Sequence, residues 1–166
     1  DHLGIIMLKT GKNWKTAYCI HHNANLQGGH NYADVESYLT DTEKKELTGL
    51  ALYNGFKFDG WTPDDDTVPD DADKGKYTAT QVMVWIIEKG WYTYDKNNCS
   101  FIIQSKAVSV AKTICAKSDQ SPLGSSYSYF NQLYAAMQKH DQMPSFVNPD
   151  ASKAQTKNMG YDFSKK

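Results

Sequence analysis

Cys19 and the histidines near it are the residues whose types and spacing could carry nucleophilic chemistry. Side chains alternate along the segment that contains Cys19, which places it on one strand face with Ala17 and His21, while His22 and His30 follow in the chain. An imidazole beside a thiol favours the nucleophilic thiolate. The alternative is a buried, inert cysteine, because cysteine is a small apolar residue that is often enclosed in protein cores.

Thr80 and Gln81 form a second polar pair, at the start of the most apolar helical pattern in the chain. The periodicity predicts a helix over about 78–89, and its wide apolar stripe, which includes Trp85, is typical of a helix buried inside its domain. Gln81 is an unusual residue for such a position. Thr78 and Gln81 also fit a capping box, in which the amide of the glutamine bonds to the start of its own helix.

The sequence patterns of the elements that must position these residues predict an α+β fold. It has a β-hairpin or sheet portion and an inserted helical subdomain of about four helices. We expect residues 1–166 to form a single domain that is a fragment of a longer protein, since the chain lacks an initiator Met and ends just after a predicted strand. The predicted strands cover about 4–9, 13–21 and 155–163, and the predicted helices about 42–54, 78–89, 101–116 and 126–140.

The charge balance gives no reason to expect a nucleic acid or an anionic membrane as partner, because 18 Lys and Arg residues face 19 Asp and Glu residues. No apolar run approaches the roughly 18 residues that a membrane-spanning helix needs. The acidic segment 59–76 lacks the carboxylate spacing of a calcium-binding EF-hand loop, so we expect a solvated loop there. We expect neither a metal nor a cofactor.

The three cysteines, Cys19, Cys99 and Cys115, are too few for a disulfide framework. Cys99 and Cys115 flank a predicted helix, which would hold their Cα atoms on the order of 20 Å apart. A disulfide needs a Cα separation under about 7 Å. We therefore expect these two residues to be buried thiols.

Two short motifs in a fixed order carry a family resemblance. Tyr18-Cys19-Ile20 stands on an early strand, and Thr80-Gln81-Val82-Met83-Val84-Trp85 opens the apolar helix. Together they resemble the thioester domains of Gram-positive surface adhesins, called the TQXA family. The segment Met143-Pro144-Ser145-Phe146 is similar as well, and the resemblance covers roughly residues 14–163. Met83 stands where the family name implies alanine.

The resemblance implies that the Cys19 sulfur is joined to the side-chain carbonyl of a glutamine in the same polypeptide, with loss of ammonia. The family's bond-forming glutamine follows an aromatic residue or a leucine far downstream, and no such pair occurs after Leu26-Gln27. We therefore expect the partner beyond Lys166, with Gln155 as the candidate inside the chain. The residues expected to support the site are Tyr18, Thr80, Gln81 and Trp85.

The function implied is that of a bacterial adhesin domain that binds covalently to a lysine amine on a host or cell-surface protein. Such a domain reacts once per molecule and is not a turnover enzyme. The resemblance also implies an extracellular, cell-wall-attached protein with further domains. Two alternatives remain: a noncovalent binding module of the same fold, and a cysteine hydrolase or acyltransferase. In the latter, Cys19 would be the nucleophile and the base would be one of His21, His22, His30 and His140.

Overall fold

The computed structural model describes residues 4–20, 22, 41–57, 69–118 and 125–138, which contain four helices and two antiparallel β-hairpins. This arrangement confirms the predicted α+β class. In chain order the elements are β1 (Ile6–Thr10), β2 (Asn13–Ala17), α1 (Thr42–Asn54), α2 (Asp71–Glu88), β3 (Tyr92–Asp95), β4 (Ser100–Ile103), α3 (Ser105–Ser118) and α4 (Ser126–Gln138).

Helix α2 is the centre of the described structure and packs against α1, α3 and α4. Every residue from Tyr77 to Ile87 is buried, as the wide apolar stripe of this segment predicts. The surrounding elements contribute the rest of the core, which includes Leu47, Leu50, Phe101, Ala107, Ala111, Cys115, Phe130, Leu133 and Met137. Any group bonded to α2 is therefore held by the most enclosed part of the protein.

Both ends of α2 are capped by identifiable groups. At the start, the Asp70 carboxylate accepts a hydrogen bond of 2.7 Å from the Asp73 backbone N–H. At the end, Gly90 has a φ of +67°, and the N–H groups of Gly90 and Trp91 donate to the carbonyls of Ile87 and Ile86. These two bonds form a Schellman motif, which ends a helix and satisfies its last carbonyls.

The predicted start of this helix, near residue 78, is wrong, because α2 begins at Asp71. The prediction of a loop over the whole of 59–76 is wrong for the same reason. Asp71 and Asp73 lie in the first turn of α2, where negative side chains interact favourably with the positive end of the helix dipole. The acidic composition that indicated a solvated loop is here part of a helix start.

The predicted helix over 101–116 is wrong at its beginning. Residues Ser100–Ile103 form strand β4, which pairs with β3 through a register that places Tyr94 opposite Phe101, and helix α3 follows at Ser105. Phe101 and Ile103 are buried whereas Ile102 is half exposed, the alternation expected of a strand with one covered face. A short apolar run of this kind fits either a strand or a helix from periodicity alone.

Cys99 and Cys115 are free thiols, as expected, but only Cys115 is buried. Cys115 lies on α3, inside the core. Cys99 lies in the turn between β3 and β4, is half-buried and has a φ of +47°. The predicted burial of Cys99 is wrong because this residue lies in the turn before β4 and does not flank a helix, since α3 begins at Ser105.

The remaining predicted elements agree closely with the structure where it describes them. Helix α1 has the predicted bounds, and α4 covers 126–138 of the predicted 126–140. The first hairpin pairs Ile6 with Ala17 and Thr10 with Asn13, and β2 ends four residues before its predicted end. The predicted strand over 155–163 lies outside the described residues. Within the described part, no helix is long and apolar enough to cross a membrane.

Gly55 allows the chain after α1 to pass close to α2. A Cβ at this position would lie 2.5 Å from Cγ2 of Thr80 and 2.6 Å from the Ala51 carbonyl oxygen. Carbon atoms do not approach this closely without displacement of a neighbour. The absence of a side chain at Gly55 therefore brings the Phe56 backbone within hydrogen-bonding distance of Thr80.

We expect Gly55→Ala to lower the free energy of unfolding by about 2 kcal/mol, the scale of overpacking in a close contact. The control is Gly4→Ala, because nothing lies within 4 Å of a Cβ built there; a change within about 0.5 kcal/mol is expected for it. Urea denaturation of both variants measures the difference. Equal stability of the two would contradict the close approach described here.

Candidate functional site

One face of α2 holds the first hairpin through side-chain hydrogen bonds. The hydroxyl of Tyr77 donates to the Ala17 carbonyl oxygen at 2.9 Å and accepts from the Ile6 N–H at 3.3 Å. Ile6 and Ala17 are partners in the β1–β2 register. A single buried phenol thus joins both strands of the hairpin to the central helix.

Gln81 holds the backbone of Cys19, the candidate nucleophile. Its Oε1 accepts a hydrogen bond of 2.8 Å from the Cys19 backbone N–H, and its Nε2 donates one of 2.7 Å to the Cys19 carbonyl oxygen. Gln81 is 1% exposed. The carboxamide, which has one acceptor and two donors, pairs with Cys19 as a neighbouring strand would.

The spacing of helix and strand makes these contacts compatible. Tyr77 and Gln81 are one helical turn apart, about 6 Å along the axis, and Ala17 and Cys19 are two extended residues apart, about 6.6 Å. One further turn along the same face, the ring of Trp85 meets the ring of His22 edge-on, with centroids 4.7 Å apart and an angle of 78°. Three successive turns of α2 therefore contact the chain from residue 17 to residue 22.

Tyr18 and Thr80 fix the chain from another direction through Phe56. The Tyr18 hydroxyl donates to the Phe56 carbonyl oxygen, and the Phe56 N–H donates to Oγ1 of Thr80 at 3.0 Å. Thr80 in turn donates to the Lys76 carbonyl oxygen at 2.9 Å. The Tyr18 ring also stacks on the Tyr77 ring, with centroids 4.8 Å apart. Tyr18 is thus held by Phe56, and Cys19, the next residue, is held by Gln81.

The phenols beside Cys19 stay neutral at physiological pH. Burial is the main cause that raises the pKa of the Tyr18 and Tyr77 hydroxyls well above the ordinary tyrosine value. For Tyr77 a smaller contribution comes from the negative charge that a Cys19 thiolate would carry, while its bond to Ile6 acts in the opposite direction.

Trp85 is the last of the three α2 residues, after Tyr77 and Gln81, that contact the chain from residue 17 to residue 22. It is 9% exposed, and its indole Nε1 is buried without a hydrogen-bond partner among the residues that the structure describes. An indole N–H usually finds a partner when it is buried. Within the same part of the chain, no group of three or more His, Cys, Asp or Glu side chains is placed to hold a metal ion.

A cavity of about 250 Å³ lies on a different side of α2 from Cys19. It is lined by residues of α2 and α4 and by the chain after α1, among them Phe56, Thr80, Tyr129 and Leu133. Tyr77, Gln81 and Trp85 face the first hairpin instead. None of the three α2 residues that contact Ala17, Cys19 and His22 lines this cavity.

The structure brings together all five predicted site residues that it describes, namely Cys19, Tyr18, Thr80, Gln81 and Trp85. Two details of the sequence interpretation are wrong. Cys19 lies just after β2, which ends at Ala17, rather than within a strand. The capping-box alternative fails because α2 starts at Asp71, which places Gln81 in the third turn, and its amide bonds to Cys19.

Tyr77 is a site residue that sequence reasoning missed. Its signal was its position one turn before Gln81, but a helix predicted to start near 78 left it outside the helix face. Among the proposed bases only His22 is described, and it is exposed. The other three, His21, His30 and His140, and the candidate acyl partner Gln155 lie outside the described residues.

Comparison with protein-family models matches residues 16–139 to the family described as TED: Thioester domain. The matched region covers more than half of the chain and includes Cys19, Gln81 and every helix described above. Searches of curated proteins and of solved structures gave no match.

We expect Gln81→Leu to lower the free energy of unfolding by about 2 kcal/mol, because it removes both hydrogen bonds to the Cys19 backbone while keeping a similar side-chain size. Gln132→Leu, on an exposed position of α4, is the matched control and should change stability by less than about 0.5 kcal/mol. Urea unfolding measures both. A Gln81→Leu variant as stable as its control would show that the two bonds do not hold Cys19 in solution.

Proposed function

The chain belongs to the thioester domain family, and on this premise we propose that it is an adhesion module whose Cys19 forms an internal thioester with a glutamine side chain. The acyl group is then transferred to a lysine amine of a target protein. The observation that carries the proposal is the pair of hydrogen bonds from the buried Gln81 amide to the Cys19 backbone.

The chemistry balances without a cofactor. The Cys19 sulfur attacks the carboxamide carbon of the glutamine, the C–N bond breaks, and the amide nitrogen leaves as ammonia with the thiol proton. Later a lysine amine attacks the same carbonyl carbon, the C–S bond breaks, and an amide joins the two proteins. The Cys19 thiol is released, so each molecule reacts once.

Rigid placement of Cys19 supports this chemistry in two ways. An intramolecular reaction gains most when the reacting atoms are already held close together, and the Gln81 bonds fix the backbone that carries the sulfur. A stored thioester also requires protection from water, for which the rings of Tyr18, Tyr77 and Trp85 supply apolar walls around the segment. The two neutral phenols add no competing nucleophilic phenolate.

The geometry favours this function over that of a cysteine hydrolase. Hydrolases that use cysteine commonly hold the nucleophile at a helix N-terminus, where the dipole favours the thiolate. Cys19 instead follows a strand, and its own N–H is bonded to Gln81, which removes it as a donor for an oxyanion. A noncovalent module of the same fold remains the second candidate, because the acyl partner lies outside the described residues.

The proposal extends to the partner glutamine and to the setting of the protein. We place the acyl donor beyond Lys166, or at Gln155 if it lies within the chain. The target is a host or cell-surface protein that presents a lysine amine. The domain acts outside the cell, in a wall-attached surface protein with further domains.

The decisive experiment is the intact mass of the full-length protein with and without methylamine. We expect a mass deficit of one ammonia, which methylamine reverses by adding to the acyl carbon. Cys19→Ala should remove the deficit and the reaction with methylamine, whereas the control Cys99→Ala should retain both. Digestion of the methylamine adduct identifies the partner glutamine, and Gln155→Ala tests the internal candidate directly.

Each alternative function predicts a different experimental result. A folded full-length protein with an unmodified mass and a thiol at Cys19 that reacts rapidly with maleimide would establish the noncovalent module. Repeated turnover of a thioester or amide substrate would establish a hydrolase. An adduct that persists in Cys19→Ala would contradict the assignment of the sulfur.

A further inference from the structure

His22 lies at the edge of the proposed site, three residues after Cys19. Its imidazole is exposed and packs edge-on against the buried Trp85 ring. Trp85 and Gln81 are one turn apart on α2, about 6 Å along the axis, and Gln81 holds the Cys19 backbone. The imidazole and the cysteine therefore contact neighbouring turns of the same helix face.

Amine transfer to a thioester needs a proton acceptor. The nitrogen of a free amine becomes positively charged when it attacks the carbonyl carbon, and the adduct reverts unless that nitrogen loses a proton before the C–S bond breaks. The side chains that bond to or stack against residues 17–19 include the Tyr77 phenol and the Gln81 carboxamide, and the Tyr18 phenol belongs to the same segment. Burial raises the pKa of both phenols, so neither they nor the amide accepts a proton near neutral pH.

We infer that His22 is the general base for transfer of the acyl group to the amine, an inference that rests on the function proposed above. The free amine attacks the carbonyl carbon, and the neutral imidazole of His22 takes one proton from the nitrogen. The C–S bond breaks, and its electron pair stays on the Cys19 sulfur. The imidazolium returns the proton to that sulfur, so the products are an amide and a thiol, and His22 is neutral again.

Trp85 positions the His22 imidazole. An edge-on contact between two rings favours one orientation of the imidazole and keeps it near the helix face that carries Gln81. Exposure of the other side of the ring leaves it accessible to solvent, where an approaching lysine of a folded target would arrive. His22 is thus exposed, whereas Cys19 is half-buried.

The test compares wild type, His22→Asn and the control His2→Asn in the full-length protein, with methylamine as the probe. Intact mass first establishes that each variant has formed its thioester, which separates failure of this inference from failure of the proposed function. The rate of thioester loss at pH 7.5 should fall at least about 100-fold in His22→Asn, the lower range for a general base. It should be unchanged in His2→Asn.

A further readout distinguishes a base from a packing residue. Free imidazole should restore the rate of His22→Gly in proportion to its concentration. A His22→Asn variant that forms its thioester and reacts at the wild-type rate would overturn the inference. A rate loss that follows His21→Asn instead would overturn it as well.

Discussion

Two hydrogen bonds between the Gln81 carboxamide and the Cys19 backbone are the constraint on which the site depends. Cys19 follows the end of a two-stranded hairpin, where no third strand pairs with it within the described residues. A side-chain amide takes the place of that strand. Since the amide projects from the buried part of α2, residues 77–87, the cysteine acquires the rigidity of the core while remaining only half-buried itself.

This arrangement requires α2 to be long, buried and accurately placed. The helix begins at Asp71, so that Tyr77 lies within it one turn before Gln81, and it ends in a Schellman motif that leads directly into the second hairpin. The close passage at Gly55 brings Phe56 to Thr80, and Phe56 in turn receives the hydroxyl of Tyr18. Residues distant in sequence thus act on one short segment, which explains why two brief motifs can indicate a whole domain.

Much of the site could be predicted from the sequence, because the motif residues Tyr18, Cys19, Thr80 and Gln81 do meet in space. The hydrogen-bond partner of the Gln81 amide could not be predicted. The capping box at Thr78 and Gln81 is a local pattern, and it gave a plausible local role to an amide whose partner is 62 residues away in the chain. The bounds of α1 were predicted correctly because the residues that limit it, the N-cap Asp41 and the following Gly55, are adjacent to it in the chain.

The errors have a common physical origin. Asp71 and Asp73 have a composition typical of loops, yet a helix N-terminus stabilises the same negative charges. Ser100–Ile103 is too short for periodicity to separate strand from helix, and pairing with Tyr92–Asp95 decides it. In both places the deciding interaction, with the helix dipole or with a paired strand, involves residues outside the short segment. The local sequence pattern therefore does not predict the structure there.

Amide hydrogen exchange at Cys19 tests the central constraint most directly, because this N–H lies beyond the end of β2 and donates its hydrogen bond to the Gln81 side-chain oxygen. The account predicts that the Cys19 amide exchanges as slowly as the paired amides of the β1–β2 hairpin, and that Gln81→Leu removes this protection while the hairpin keeps its own. Exchange at Cys19 in the wild-type protein at the rate of an unstructured peptide would contradict it.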